Sequence, residues 1–249
     1  MMPDVMIAEV AARVPDSLGA YRGSVAVGPG GPGARSLTAL RDPAAFDATL
    51  AAFGAGFGVV DRRILVSYWS QFYFAALATP ALTALVCLGR ALPLAFETTS
   101  LELDDAGRPA RLLVAADAAQ APCGVAPGLG GLVAAHLAPF VALCHGQCGL
   151  APRVLWGNAA VILDHVAGEL GAGKLGMELG RDAPACAEIA ACLGRGAPPC
   201  GPGVMPLARA LCPGAGGCRR RRVCCLRSGL PGVPSCGALC PRECGAGAG

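Results

Sequence analysis

The last fifty residues hold eight of the chain's fourteen cysteines. Cys224 and Cys225 are adjacent, and Cys236 and Cys240 follow after short spacers. Thiolates are soft ligands that suit iron–sulfur clusters and zinc. Structural zinc sites usually separate the two cysteines of a pair by intervening residues, so the adjacent pair disfavours zinc. Four thiolates from one loop can instead supply two sulfurs to each iron of a [2Fe-2S] cluster.

The spacer Leu226–Pro234 explains how neighbouring side chains can converge. It contains two glycines and two prolines. These residues favour an irregular backbone, which adjacent cysteines need if both are to face one metal centre.

The segment Arg222–Pro241 resembles the C-terminal signature of the FhuF-like ferric-siderophore reductases. That signature has a double cysteine, a spacer with a Leu-Pro element and a closing cysteine pair before proline. The family closes with two residues between the last cysteines, whereas Cys236 and Cys240 are separated by three. Both Cys240 and Cys244 therefore remain candidates for the fourth ligand, and Cys240 is favoured because Pro241 follows it.

Upstream segments resemble landmarks of the same reductases in the same order, over roughly residues 60 to 241. They are Ser67–Tyr73, Ala78–Leu82, Gly89–Leu94, His136–Phe140 and Val154–Ala160. Some siderophore synthetases have similar landmarks in their C-terminal part, but those chains are far longer and lack the cysteine tail.

The resemblance implies a cytoplasmic enzyme that reduces ferric iron in siderophores, of the hydroxamate type, by one-electron transfer. The implied cofactor is a [2Fe-2S] cluster bound by Cys224, Cys225, Cys236 and Cys240. No G-x-G-x-x-G motif follows a predicted strand, which disfavours a nicotinamide- or flavin-binding fold. A separate electron donor, such as a ferredoxin or flavin reductase, is therefore expected.

Two other functions remain open. The same cysteines could hold zinc in a structural interaction protein. Alternatively, the chain is a siderophore biosynthesis or transport-associated protein that keeps the upstream landmarks without redox activity.

The charge distribution gives little support for a nucleic-acid partner. The formal net charge is +3, and the one dense charge run is Arg219–Arg222. This run is short and no stacking aromatics are interleaved with it. It is either a solvated face or a basic flank of the cysteine site that raises the reduction potential.

The N-terminus predicts a cytoplasmic protein, because Asp4 and Glu9 interrupt it and no basic segment precedes an apolar run. Cytoplasmic thiols stay reduced and free to bind metal. Ile64–Gly89 is uncharged and long enough to span a membrane. Its polar residues and Pro80 favour a buried helix pair, or a surface resting on the inner face of the cell membrane.

We predict a mainly α fold with a small β-hairpin (α+β) and a cysteine-rich, iron–sulfur-binding tail. Residues 1–60 are expected to form a partly helical lead-in, and residues 200–249 the cluster-binding segment. Residues 61–199 are expected to form a helical domain with its hairpin near 92–115. Within this domain, Pro80 is expected to separate two helices.

Other candidate residues are weaker. The sequence Cys144-His145-x-x-Cys148 has metal-ligand types at plausible spacing, although such a set at a helix end is more often accidental. His136 is more simply a core or surface residue than a catalytic one. Asn158 either shapes a substrate or cluster pocket or caps a turn.

Overall fold

The computed structural model describes residues 3–116, 122–172, 182–194, 205–214 and 219–242. The helices are α1 (Pro3–Arg13), α2 (Pro43–Ala55), α3 (Arg62–Leu88), α4 (Val125–Leu132), α5 (Ala138–Cys148), α6 (Pro152–Ala172), α7 (Asp182–Cys192) and α8 (Met205–Ala208). The strands are β1 (Val25–Val27), β2 (Arg35–Ser36), β3 (Ser100–Leu103), β4 (Pro109–Val114), β5 (Leu211–Pro213) and β6 (Arg219–Arg221). The predicted mainly helical α+β class is confirmed.

Helix α3 is continuous through Pro80, so the predicted break there is wrong. Proline lacks the N–H that would bond the carbonyl four residues earlier, here that of Ala76. That carbonyl instead accepts a hydrogen bond of 2.8 Å from the Ser24 hydroxyl. A contact distant in sequence therefore satisfies the group that Pro80 leaves unpaired.

The predicted hairpin is present as β3 and β4, which pair antiparallel. Asp104 stabilises the turn by accepting hydrogen bonds from the backbone N–H groups of Ala106 and Arg108. The extended segment expected from Leu92 is shorter in the structure, since β3 begins only at Ser100. Two strands that the sequence did not predict complete a sheet of order β1-β4-β3-β2, in which β1 is parallel to β4.

The centre of the fold is the pair α3 and α6, which pack against each other. By length and hydropathy, α3 and the continuous helix Val125–Cys148 could each cross a membrane. The relevant window is 72% buried inside the fold for α3 and 50% for the second helix. Core helices pass the same test, and packing accounts for the apolar sequence of α3.

His136 is a core residue, as the sequence favoured. It lies in the π-helical turn Val133–Leu137 between α4 and α5. Its Nδ1 bonds to the carbonyl of Leu94 and its Nε2 to the hydroxyl of Tyr73. A carbonyl can only accept, so Nδ1 carries the proton and Nε2 accepts from Tyr73. Burial lowers the pKa of His136 to about 4, which keeps the ring neutral.

Candidate metal centre

Two residues separate the double cysteine from the end of β6, and an unusual turn follows Cys225. Leu226 adopts a left-handed conformation with φ of 65°, which non-glycine residues rarely do. Its backbone N–H donates a hydrogen bond of 3.3 Å to the sulfur of Cys224. The turn gives the two adjacent cysteines different surroundings.

Cys225 and Cys236 come together. Their sulfur atoms are 3.8 Å apart, and Cys225 is almost fully buried. Two sulfurs bound at about 2.3 Å to one tetrahedral metal lie about 3.8 Å from each other. The spacing of this sulfur pair therefore fits two ligands of the same metal ion.

The full predicted ligand set does not converge. Cys240 is buried and lies close enough to Cys236 to affect its pKa, whereas the Cys224 sulfur bonds to the local backbone. Among the described residues, no group of three or more His, Cys, Asp or Glu side chains is placed to hold a metal ion. Cys244 lies outside the described residues. The four-cysteine site thus stays a prediction.

The surroundings of Cys236 disfavour the charged form of its thiol, as the direction of its pKa shift indicates. Burial, followed by the nearby sulfurs of Cys225 and Cys240, raises that pKa to about 12, against the opposing effect of Arg221. One buried and one half-buried thiolate at this distance repel each other unless a cation lies between or beside them. Metal binding would supply that positive charge and release the protons.

A buried polar chain links the cysteines to the core helices. The Ser67 hydroxyl donates a hydrogen bond of 2.6 Å to the backbone carbonyl of Cys225. The Asn158 amide donates to the Ser67 carbonyl at 2.9 Å and to the Ser70 hydroxyl at 3.2 Å. Arg221 Nε donates in turn to Asn158 Oδ1 at 3.1 Å. Helices α3 and α6 therefore hold both the double cysteine and Arg221 in place.

Arg221 presents a buried positive charge to the sulfur pair. The residue is 2% exposed, and its Nη1 has no hydrogen-bond partner among the described residues. Burial lowers its pKa, whereas Cys225, Cys236 and a hydrogen bond to Cys236 favour its charged form. A buried cation is stable only beside compensating negative charge. The cysteine donors and this arginine together fit an anionic metal–thiolate centre.

The rest of the arginine run is distributed over several partners. Arg219 forms a 2.8 Å ion pair with Asp164 of α6. Arg222 is exposed, and its Nε donates to the carbonyl of Leu211 at 3.0 Å. The run is therefore more than a solvated face, and it is Arg221 that flanks the sulfur pair.

A cleft of about 490 Å³ opens beside the sulfur pair. Cys236, Arg221 and Arg227 line one end of it, and a face of α3 that includes Gln71 and Ala75 forms a wall. The guanidinium of Arg227 lies 5.7 Å from the ring centre of Tyr68 at the same end. A molecule bound in this cleft would lie against one of the predicted ligand cysteines.

Comparison with known proteins bears on the core that holds this site. Residues 67–187 match the family model described as "Ferric iron reductase FhuF-like transporter". Over these residues the chain is similar to the FhuF-like ferric iron reductase family. The match begins at Ser67 and includes Asn158, the two residues that anchor Cys225 and Arg221. It ends before the double cysteine, and no curated protein matches the chain.

The Cys144-His145-x-x-Cys148 motif makes only local bonds in this FhuF-like segment. The Cys148 thiol donates to the carbonyl of Cys144 at 3.2 Å, and His145 Nδ1 bonds to the carbonyl of Leu150 at 3.1 Å. Burial raises the pKa of the Cys144 thiol well above its usual value. These are the contacts of a helix end, so the motif is not assembled as a metal site.

Sequence reasoning placed Ser67 and Asn158 in FhuF-like landmarks without connecting them to the cysteines. One signal was available, because Asn158 is the only asparagine in the chain. Its position on the apolar helix α6 required a buried polar partner. Which partner it has depends on a tertiary contact 63 residues away at Arg221.

Proposed function

We propose that the chain is a ferric-siderophore reductase. It would use a [2Fe-2S] cluster held by Cys224, Cys225, Cys236 and Cys240 to reduce Fe(III), with hydroxamate-type siderophores as substrates. The family match supports ferric iron reduction. The paired sulfurs of Cys225 and Cys236 support a metal centre in the tail.

The observation that carries the proposal is the position of Cys236. It belongs both to the sulfur pair and to the wall of the 490 Å³ cleft. A ferric chelate in the cleft would therefore contact a ligand of the cluster, and no long electron path through protein would be needed. The aromatic ring of Tyr68 and the arginines at this end offer surface for an oxygen-rich chelate.

The cluster, when bound, supplies one electron at a time. Hydroxamate oxygens are hard and anionic, so they hold Fe(III) more tightly than Fe(II). Adding one electron to the iron weakens the iron–oxygen bonds and lets other ligands take the metal. A ferredoxin or flavin reductase would restore the electron to the protein. The chain's own residues bind the chelate, position the cysteines and exclude water from the buried sulfurs.

The test is ferrous release from a ferric trihydroxamate, followed with a colour-forming Fe(II) chelator and dithionite as reductant. The wild type and the control Cys123→Ser, whose cysteine lies away from the sulfur pair, should accelerate release. Cys225→Ser should not, because serine oxygen is a poor substitute for thiolate. Equal rates with Cys225→Ser and wild type would overturn the proposal.

Structural zinc remains the second candidate, because a sulfur spacing of 3.8 Å suits tetrahedral zinc equally well. Elemental analysis separates the two. Zinc is colourless and redox-inert, whereas an iron–sulfur cluster absorbs visible light and becomes paramagnetic on one-electron reduction. Metal-loaded protein with no redox activity would also point to the redox-inactive siderophore-associated alternative.

We further propose a cytoplasmic location, with any membrane association peripheral and at the inner face. The clustered cysteines of the tail support the first part, because cytoplasmic thiols stay reduced and can bind metal. The burial of α3 supports the second, because its apolar surface is used inside the fold.

A further inference from the structure

Arg221 is more deeply buried than Arg219, Arg222 and Arg227, the other arginines around the site. Its side chain is 2% exposed, and its Nε is fixed by Asn158 at 3.1 Å. Asn158 is itself held by Ser67 and Ser70 of α3, so the guanidinium has little freedom to move. Within the described part of the chain its Nη1 has no hydrogen-bond partner, and Cys225 and Cys236 lie close enough to favour the charged form of the guanidinium.

The small residue Gly157 contributes to this placement. A Cβ at Gly157 would lie 3.9 Å from Cγ of Arg221, so the arginine stem runs directly over the backbone of α6. An alanine Cβ would make only an ordinary van der Waals contact with the stem, so only a side chain that extends beyond Cβ would displace the stem and its guanidinium. Helix α6 thus contacts Arg221 twice: Gly157 leaves room for the aliphatic stem, and Asn158 binds the guanidinium Nε.

We propose that Arg221 is a positioning residue that sets the reduction potential of the metal centre. This inference rests on the proposed iron–sulfur centre. One-electron reduction adds one negative charge to the centre, and a fixed buried cation stabilises the more negative state. Asn158, itself held by Ser67, positions the cation beside the sulfur pair. Both residues are neutral, so they leave the positive charge of the guanidinium uncompensated. The result is a higher potential, which lets a weaker electron donor load the centre.

Arg222 offers a matched control. It belongs to the same run and carries the same charge, but it is exposed and bonds to the carbonyl of Leu211. Solvent screens its field at the sulfurs, whereas Arg221 acts from within the fold. Neutralising each arginine in turn therefore distinguishes the effect of a buried charge beside the sulfurs from the effect of the net charge on the reduction potential.

The experiment is a reductive titration of the iron-loaded full-length chain without siderophore. Dithionite supplies the electrons, mediators equilibrate the potential, and visible absorbance reports the reduced fraction. Arg221→Gln should lower the reduction equilibrium constant at least about tenfold, which is about 59 mV for a one-electron couple. Arg222→Gln should change it less than about twofold. Arg221→Lys keeps the charge and should lie close to the wild type.

No shift in Arg221→Gln, or equal shifts in both glutamine variants, would overturn the inference and leave the proposed function standing. If Arg221→Gln takes up no iron, Arg221→Lys is the deciding variant. A wild-type reduction potential in Arg221→Lys supports the role of charge. Loss of the metal centre in Arg221→Lys as well would mean that Arg221 is needed for packing and would overturn the inference. A wild-type chain that takes up no iron would overturn the inference and the proposed function together.

Discussion

Asn158 links the helical core to Arg221, and Asn158→Leu tests this link directly. Leucine has a similar size but removes all four hydrogen bonds of the amide. The Arg221 guanidinium would then lose the partner of its Nε in addition to lacking one at Nη1. A buried charged group that loses a hydrogen-bond partner is costly, and the expected loss of unfolding free energy is about 3 kcal/mol.

The assay is urea unfolding of the iron-free full-length chain, followed by circular dichroism, so that metal binding does not contribute. A loss of about 3 kcal/mol corresponds to a melting temperature lower by about 6–12 °C for a chain of this size. Gln147→Leu is the control. Its amide also donates to two carbonyls, of Leu40 and Arg41, but its removal strands no charge. We expect it to cost about 1 kcal/mol.

A double variant sharpens the test. The double variant Asn158→Leu with Arg221→Met removes both hydrogen-bonding partners, so no charge is left unpaired. Its loss of unfolding free energy should be smaller than the sum of the two single losses by about 1–2 kcal/mol. Two results would refute this role of Asn158. One is that Asn158→Leu lowers the unfolding free energy no more than Gln147→Leu does; the other is that the losses of Asn158→Leu and Arg221→Met are additive in the double variant.

The remaining predictions concern the fourth ligand, pH and the cleft. Cys240→Ser should abolish the visible absorbance of the reconstituted chain while Cys244→Ser keeps it; the reverse result would move the ligand to Cys244. Burial lowers the pKa of His136 from 6.5 in the unfolded chain to about 4, so the unfolded chain binds more protons between these values. Stability should thus be complete above pH 6.5 and fall by about 2 kcal/mol from pH 7 to pH 5; this part of the loss should vanish in His136→Gln, and its persistence would contradict the assignment. Ala75→Trp should fill part of the cleft and slow ferrous release without changing the cluster spectrum, whereas Ala12→Trp on the exposed face of α1 should do neither; unchanged release in Ala75→Trp would place the substrate elsewhere.

Local signals in the sequence were sufficient for most helices and for the hairpin. Asp42 and Asp61 cap α2 and α3, and their side chains accept hydrogen bonds from the backbone N–H groups of Ala45 and Arg63. Asp104 and Gly107 likewise specify the turn between β3 and β4. In each case the determining contact spans only a few residues.

The features that sequence reasoning missed depend on distant contacts. Pro80 leaves the buried carbonyl of Ala76 without its helical partner, and Ser24, 52 residues away, donates a hydrogen bond to it, so α3 continues. The strand β1 was missed because its three residues acquire a partner only when β4 lies beside them. The link between Ser67 and Cys225 spans 158 residues, so no local pattern could reveal it.

The candidate site divides in the same way. Residue type and spacing singled out Cys225 and Cys236 as metal ligands, and the structure brings their sulfurs together. The burial of Arg221 did not follow from its sequence context, since a run of four arginines is usually solvated. Its role depends on Asn158, which only the packing of α6 against β6 brings within reach.

The most direct test of the account is metal and sulfide analysis of the full-length chain purified without oxygen. We predict a brown protein with about two iron and two acid-labile sulfide per chain, whose visible absorbance is lost on one-electron reduction. A chain that holds zinc instead, or that stays colourless and iron-free after cluster reconstitution, would contradict it.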